Sequence, residues 1–481
     1  MEKLLNYING KLIEPESGQW LNNIEPATGK CYSKIPLSNK KDLDIAVEAA
    51  QKAFPEWSNC GHETRSEWLL KLSDAIEAHM DALVAAESKD NGKPEKLARA
   101  VDIPRASANF RFFAKAASQF ASESHFMEGE AINYTLRRPL GIVGCISPWN
   151  LPLYLFTWKI APALATGNCV IAKPSEITPM TAFILSKICI EIGFPKGVLN
   201  VLHGNGAEIG QEIVSHPKIK AISFTGGTQT GKQIAATAAP MFKKLSLELG
   251  GKNPNIIFDD ANFENALNTS VKSSFANQGQ ICLCGSRIFI QESIYKKFKT
   301  AFAAKVKALN IGDPLDPKNQ MGAVVSKAHL EKIEHYVDLA VKSGGKIIAG
   351  GKRISLDGRC KQGYFFEPTI IEGLDAFCQI NQEEIFGPVV SLIPFKEEQE
   401  VLEFANSTAY GLSSTIWTNN LNRAHRMAEK IESGIVWVNT WLLRDLRTPF
   451  GGTKQSGVGR EGGWEAMRFF TEAKNICIKY Q

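Results

Sequence analysis

Gly141-Ile142-Val143-Gly144-Cys145-Ile146 and, further on, Cys169-Val170-Ile171-Ala172 read as strands buried on both faces. Thr178-Pro179 then opens a helix, with a hydroxyl cap and a proline in the first turn. Leu185, Ile188, Cys189 and Ile192 share its apolar face, and Gly193 and Pro195 stop it. Val198-Leu199-Asn200-Val201-Leu202 and Ile219-Lys220-Ala221-Ile222-Ser223-Phe224 repeat the pattern, each followed by glycine and a further helix. Strands separated by helices of this length predict an α/β fold with a parallel sheet covered on both sides.

Working outward, a second alternating series starts near Asn255-Ile256-Ile257-Phe258 and runs to about residue 450, with a helix expected over 293–309 and a strand over 389–393. A chain of 481 residues exceeds one ordinary core, so two or more domains are expected. Ile132-Asn133-Tyr134-Thr135-Leu136-Arg137 alternates apolar and polar residues, and Asn475-Ile476-Cys477-Ile478-Lys479-Tyr480 is also strand-like. Two isolated edge strands are a liability unless paired, which predicts subunit contacts.

Composition narrows the function. With 44% apolar and 22% charged residues the chain reads as globular, and its net charge of +5 is spread without a basic block, which argues against nucleic acid. The N-terminal run lacks the apolar core of a signal peptide, and no apolar run is long enough for a bilayer, so a cytoplasmic protein without a membrane role is expected. The ten cysteines are scattered, with no paired Cys/His spacing for zinc, and no metal is expected.

Two glycine-rich turns invite a phosphate. Gly204-Asn205-Gly206-Ala207-Glu208-Ile209-Gly210 has one residue more than the usual dinucleotide fingerprint. Gly226-Gly227-Thr228-Gln229-Thr230-Gly231-Lys232-Gln233 nearly spells a P-loop but puts Gln233 where a magnesium-binding hydroxyl is needed, which excludes a nucleotide hydrolase. Phe224-Thr225-Gly226-Gly227-Thr228 reads better as a strand-to-helix turn whose free N–H groups face a pyrophosphate. Lys173-Pro174-Ser175-Glu176 could hold a ribose, and a carboxylate there repels a 2′-phosphate, favouring NAD over NADP.

The chemistry-bearing residues are Cys282 at the end of Gln278-Gly279-Gln280-Ile281-Cys282, Glu248 in Leu247-Glu248-Leu249-Gly250-Gly251-Lys252, and Asn150 in Ser147-Pro148-Trp149-Asn150-Leu151-Pro152. They supply the nucleophile, base and oxyanion donor of covalent carbonyl oxidation. Together with Lys173-Pro174-Ser175-Glu176, Phe224-Thr225-Gly226, Glu383-Glu384-Ile385-Phe386-Gly387-Pro388 and Pro449-Phe450-Gly451-Gly452, these motifs stand in the order and spacing of the aldehyde dehydrogenase superfamily, which the chain resembles over nearly its whole length.

The resemblance implies a Rossmann-like NAD-binding domain (1–120 and 140–250), an α/β catalytic domain (251–450) and a β oligomerisation arm (121–139 and 466–481) in a homodimer or homotetramer. It implies Cys282 as nucleophile, Glu248 as general base, and Asn150 with the Cys282 backbone N–H around the oxyanion. Lys173 and Glu176 would hold the adenosine ribose, Gly227 the pyrophosphate turn, and Glu384 with Phe386 the nicotinamide ribose and ring, with Gly206, Phe224 and Trp149 as further cofactor-binding residues. Lys159 sits where the family has a lysine linked to proton removal, or is a helix-surface lysine. Members that pass the acyl group to coenzyme A generally lack the glutamate, so Glu248 implies a free acid product. Cys284 reads as a packing cysteine, with a resolving thiol as the alternative.

Arginines on both sides of the expected substrate mouth suggest an aldehyde that carries an acid. Ile103-Pro104-Arg105, Asn109-Phe110-Arg111-Phe112-Phe113 and Arg444-Asp445-Leu446-Arg447-Thr448-Pro449-Phe450 resemble the subgroup that oxidises 2-aminomuconate and 2-hydroxymuconate 6-semialdehydes. Arg105 and Arg444 are the expected carboxylate pair, with Arg447 and Arg111 open. A broad-specificity or betaine-type aldehyde dehydrogenase is the alternative, and a protein that has lost chemistry or a cysteine hydrolase fits less well.

Overall fold

The computed structural model describes residues 1–481. An eight-stranded sheet has a parallel centre in the order Lys244–Glu248, Ile219–Thr225, Ile142–Ile146, Cys169–Lys173, Leu199–Val201. Antiparallel strands close both sides: Gly457–Val458 beside Lys244–Glu248, and Asn6–Ile8 with Lys11–Ile13 beside Leu199–Val201. All five residues of Ile142–Ile146 and of Cys169–Lys173 are buried, as strands between two helical layers should be, although the second ends in the charged Lys173.

From Ile142–Ile146 the chain winds first to one side, through Cys169–Lys173 and Leu199–Val201, and then to the other, through Ile219–Thr225 and Lys244–Glu248. The direction reverses between Ile142–Ile146 and Ile219–Thr225, and a crevice opens beyond the carboxyl ends of strands at such a switch point. The loops leaving those two ends are Ser147 to Asn150 and Gly226-Gly227. Helix Pro152–Ala165, which follows the first loop, is buried at every position, which suits a helix apolar nearly all round. Lys159 on that helix is 1% exposed, so its helix-surface alternative is wrong.

A second sheet carries seven strands in the order Lys346–Ala349, Thr369–Glu372, Val389–Phe395, Arg287–Gln291, Pro254–Ile257, Ser413–Trp417, Ile435–Val438, parallel except for the first. Helix Glu292–Lys307 covers it where a helix was expected, burying Phe298, Phe302 and Val306.

A third sheet joins Thr471–Lys479, Ala131–Pro139 and Ser124–Met127, all antiparallel. The two strands expected to be isolated therefore pair with each other, in an unbroken register from Thr471 opposite Pro139 to Lys479 opposite Ala131. Inter-strand bonding within the chain satisfies their backbone groups, and only the outer edges of the sheet stay open. No helix is long and apolar enough to cross a membrane.

Candidate active site

Cys282 is aimed by an unusual stretch of backbone. Helix Phe263–Phe275 ends, and Asn277, Gln278 and Gly279 follow with φ of 51°, 58° and 69°. Consecutive left-handed residues cost energy and persist only where surroundings hold them. Here Gln278 Nε2 donates to Ala323 O at 2.8 Å, Asn277 Nδ2 to Asn150 O at 2.9 Å, and the Val325 N–H to Gln280 Oε1 at 2.9 Å. A side chain at position 279 would meet Gly387 O at 2.3 Å, so only glycine fits. Past the thiol, Asn253 Nδ2 donates to Cys282 O at 2.7 Å and Cys284 O at 2.9 Å.

Two cavities meet at Cys282, which lines both together with Thr225 and Leu249. The first, of about 250 Å³, lies in the switch-point crevice and is lined by Trp149, Asn150, Gly226, Gly227, Glu384 and Phe386 among others. Nothing within 4 Å would obstruct a Cβ on Gly227, and helix Thr228–Ala238 begins there with no side-chain cap. Its first N–H groups are thus available to an anion. On the opposite wall Glu384 Oε1 accepts the Gly251 N–H at 2.8 Å, and Phe386, itself at φ 64°, meets Trp149 edge-on with centroids 5.2 Å apart.

The remaining residues expected to hold a cofactor do not line this cavity. Lys173 Nζ donates to Glu176 Oε2 at 2.9 Å, and the Gly206 N–H reaches Glu176 Oε1 at 3.4 Å, a cluster at the end of the neighbouring strand. Burial would raise the Glu176 carboxyl, but the Lys173 ammonium and these hydrogen bonds hold it below its ordinary value. Phe224 is buried, with its ring packed under Gly226, where a Cβ would come within 2.4 Å of it.

The second cavity, of about 420 Å³, has Glu248 and Glu461 in its wall and Arg105, Arg444, Tyr154 and Lys272 around it. Arg444 lies over the Phe450 ring at 3.9 Å and the Trp158 ring at 5.1 Å, and donates to the Tyr154 hydroxyl. Arg105 lies over the other aromatic contact they share, the Tyr154 ring, at 5.8 Å. Neither guanidinium is in an ion pair with an acidic side chain. The two open arginines fall elsewhere. Arg111 pairs with Asp74 at 2.8 Å and Glu77 at 3.0 Å, and Arg447 pairs with Asp445 at 2.6 Å.

Glu248 is 4% exposed, and neither of its carboxylate oxygens has a hydrogen-bond partner. Burial, and then the charge of Glu461, pushes its carboxyl well above the ordinary range, against opposing pulls from Lys159 and two arginines. Glu461 in turn binds Lys159 Nζ at 2.7 Å, and Lys159 also reaches Ser223 Oγ at 3.2 Å. Burial also pushes the Cys282 thiol up, helped by the Glu384 and Glu248 carboxylates. Cys284 packs in the apolar cluster of Leu283, Trp437 and Trp441, its thiol pushed up to about 12 by burial.

Sequence reasoning missed Glu461, His329, Lys332 and Lys272. Glu461 carries no motif of its own, only the flanking glycines 459 and 462, and it meets Lys159 across 302 positions. His329 and Lys332 stand one turn apart at the start of helix Lys327–Lys342 and line the first cavity, with His329 Nε2 2.7 Å from Phe386 O.

The profile of the aldehyde dehydrogenase family matches residues 12–476. The chain belongs to the aldehyde dehydrogenase family. It is an NAD-dependent, aldehyde-oxidising enzyme. Among relatives, 2-aminomuconic semialdehyde dehydrogenase of Danio rerio is 48% identical over 480 residues, covering 99% of this chain and 98% of that protein. The 2-hydroxymuconic semialdehyde dehydrogenase of Pseudomonas sp. (strain CF600) is 44% identical over 100% of both chains. A structure of aldehyde dehydrogenase from Bacillus cereus in complex with NAD+ superposes with a TM-score of 0.97 at 38% identity, over 100% of this chain and 97% of that one. The family and the α/β architecture are thus as expected from the sequence.

Proposed function

We propose that this aldehyde dehydrogenase oxidises a carboxylate-bearing semialdehyde of the 2-aminomuconate or 2-hydroxymuconate 6-semialdehyde type to the free acid. One observation carries this reading: Arg105 and Arg444 line the cavity that ends at Cys282, and neither has an acidic partner. A guanidinium left unpaired beside a reactive thiol suits a substrate that brings its own carboxylate. A cationic aldehyde such as betaine aldehyde would face those same charges. The two relatives named for muconic semialdehydes support the same class.

In this proposal the Cys282 thiol first gives up its proton to solvent, the thiolate sulfur attacks the aldehyde carbon, and the carbonyl π electrons pass to the oxygen as negative charge. Asn150 holds one amide hydrogen on Gln280 O at 2.9 Å and keeps a second for that oxygen, beside the Cys282 N–H. Each such donor contributes on the order of 3 kcal/mol in a dry site. The first cavity and the Lys173–Glu176 cluster at the end of the neighbouring strand fit NAD together: an uncapped helix start for the pyrophosphate, Glu176 for a ribose, and Trp149, Glu384 and Phe386 for the nicotinamide side. NAD supplies the acceptor for the hydride lost as the thiohemiacetal becomes a thioester. Glu248 then takes a proton from water, and the hydroxide cleaves the thioester. Its raised carboxyl makes it a stronger base than an exposed glutamate, and a base so placed contributes roughly 10²–10⁴-fold.

A homo-oligomer fits the outer edges of the three-stranded sheet, where Phe126, Met127 and Ile478 are exposed at 75%, 46% and 50%. A cytoplasmic setting suits ten free cysteines.

NADH formation tests the substrate class, with 2-hydroxymuconate semialdehyde set beside acetaldehyde, benzaldehyde and betaine aldehyde. The muconate substrate should lead, and Arg105→Ala and Arg444→Ala should each lower its kcat/KM about 30-fold or more, the loss of ~2 kcal/mol expected for a truncated charge pair. Equal turnover of the uncharged aldehydes, unmoved by either substitution, would leave a general aldehyde dehydrogenase instead.

A further inference from the structure

Beneath Asn150 lies a group of charges with no part in the chemistry above. Lys93, Glu87 and Asp102 are all 0% exposed. Lys93 Nζ donates to Asp102 Oδ2 at 2.9 Å, to Glu87 Oε1 at 3.3 Å and to the backbone carbonyl of Asn150 at 3.2 Å. The three N–H bonds of the ammonium are therefore all taken, two by carboxylates and one by the Asn150 backbone.

We propose that Lys93 is a positioning residue for the oxyanion amide, an inference that rests on Asn150 as the oxyanion donor. Three donors converge on the Asn150 carbonyl: Asn277 Nδ2 at 2.9 Å, Asn91 Nδ2 at 3.2 Å and Lys93 Nζ at 3.2 Å. Only Lys93 among them carries charge, and charge-assisted bonds are about twice as strong as neutral ones. The second oxygen of Glu87 accepts the Leu153 N–H at 3.3 Å, in the first turn of helix Pro152–Ala165. One buried cluster thus holds both the carbonyl of Asn150 and the start of the helix that follows it.

Asp102 ties the cluster to the substrate side. It ends the wide helical turn Ala98–Asp102, whose Ala100 and Val101 line the second cavity just before Arg105. A buried charged group of this kind adds little net stability compared with apolar residues of the same volume. Its value here is directional: an apolar side chain could fill the space, but it could not fix the rotation of the peptide that carries the Asn150 side chain.

A double-mutant cycle with Asn150 separates positioning from packing. The readouts are the burst rate of NADH formation and NAD affinity by quenching of protein fluorescence, in wild type, Lys93→Met, Asn150→Ala and the double variant. Misplacement of a reacting group by about 1 Å costs about 100-fold, so Lys93→Met should slow the burst about 30- to 100-fold and leave NAD affinity within about twofold. In the Asn150→Ala background the same change should cost less than about threefold, because the amide it positions is gone. Should Lys93→Met fail to fold, Lys93→Met with Asp102→Asn restores the net charge of the cluster and runs the same cycle. Equal losses in both backgrounds, or a parallel loss of NAD affinity, would overturn the proposal and leave Lys93 a packing residue. An Asn150→Ala enzyme with a wild-type burst would instead refute Asn150 as oxyanion donor, and the positioning role with it.

Discussion

The two cavities that share Cys282 are built from different material. On the crevice side the phosphate-facing surface is backbone, the Gly226-Gly227 turn and an uncapped helix start, with Trp149, Glu384 and Phe386 adding side chains beyond it. On the other side the fitting surfaces are side chains: Arg105 and Arg444 around Tyr154, with Glu248 behind. Backbone groups cannot be exchanged one at a time, whereas side chains can. The first surface suits a ligand that never varies, and the second a substrate that differs between relatives.

The largest effect should come where the second cavity meets the chemistry. Glu248→Gln should lower steady-state turnover about 10²- to 10⁴-fold. If the glutamate serves only the thioester, a burst of about one NADH per subunit should survive; loss of the burst would place Glu248 in activation of the thiol as well. The wild-type rate should rise with pH through the raised Glu248 pKa, since only the deprotonated carboxylate accepts a proton, and Glu248→Gln should lose that limb.

A smaller effect should sharpen the contrast from the cofactor side. Glu176→Gln removes a carboxylate whose charge is held by Lys173, so KM for NAD should rise about tenfold, the order of a lost charge-assisted hydrogen bond. The preference among aldehydes should not change, and the discrimination against NADP should shrink. Altered aldehyde preference in that variant would break the separation of the two surfaces.

The smallest effect belongs to Tyr154→Phe, which removes the hydroxyl that receives Arg444 while keeping the ring under both guanidiniums. KM for the muconate substrate should rise a few-fold, about the ~1 kcal/mol of a single hydrogen bond, with benzaldehyde unaffected. Equal losses for both substrates would show that the tyrosine shapes the cavity rather than steadies the arginine.

Local pattern made much of this visible in the sequence. The uncharged runs at 141–146 and 169–172 read as doubly covered strands, and the strands at 141–146 and 219–224 frame the crevice that Trp149 and Gly227 line. Hidden from it were partnerships between distant positions. Thr471–Lys479 reads as a lone strand until its register with Ala131–Pro139 is known. Glu461 looks like any surface acid, because its meaning comes from Lys159, 302 positions away. Glu87 and Asp102 fall in helical stretches and Lys93 in the short link between them, where charges usually face water, and nothing local distinguishes three buried ones from their exposed neighbours.

The left-handed approach to Cys282 has a consequence for anyone who would redesign this enzyme. Gly279 is pressed against the carbonyl of Gly387, and that segment also carries Glu384 and Phe386. The aim of Cys282 and the far wall of the crevice are therefore a single heritable unit. Libraries that vary 277–282 alone should be mostly dead, whereas those that vary 277–282 and 384–388 together can reach new geometries. Diversity at Arg105, Tyr154 and Arg444 in the second cavity lies outside that tether, and new aldehyde preferences should be found there first.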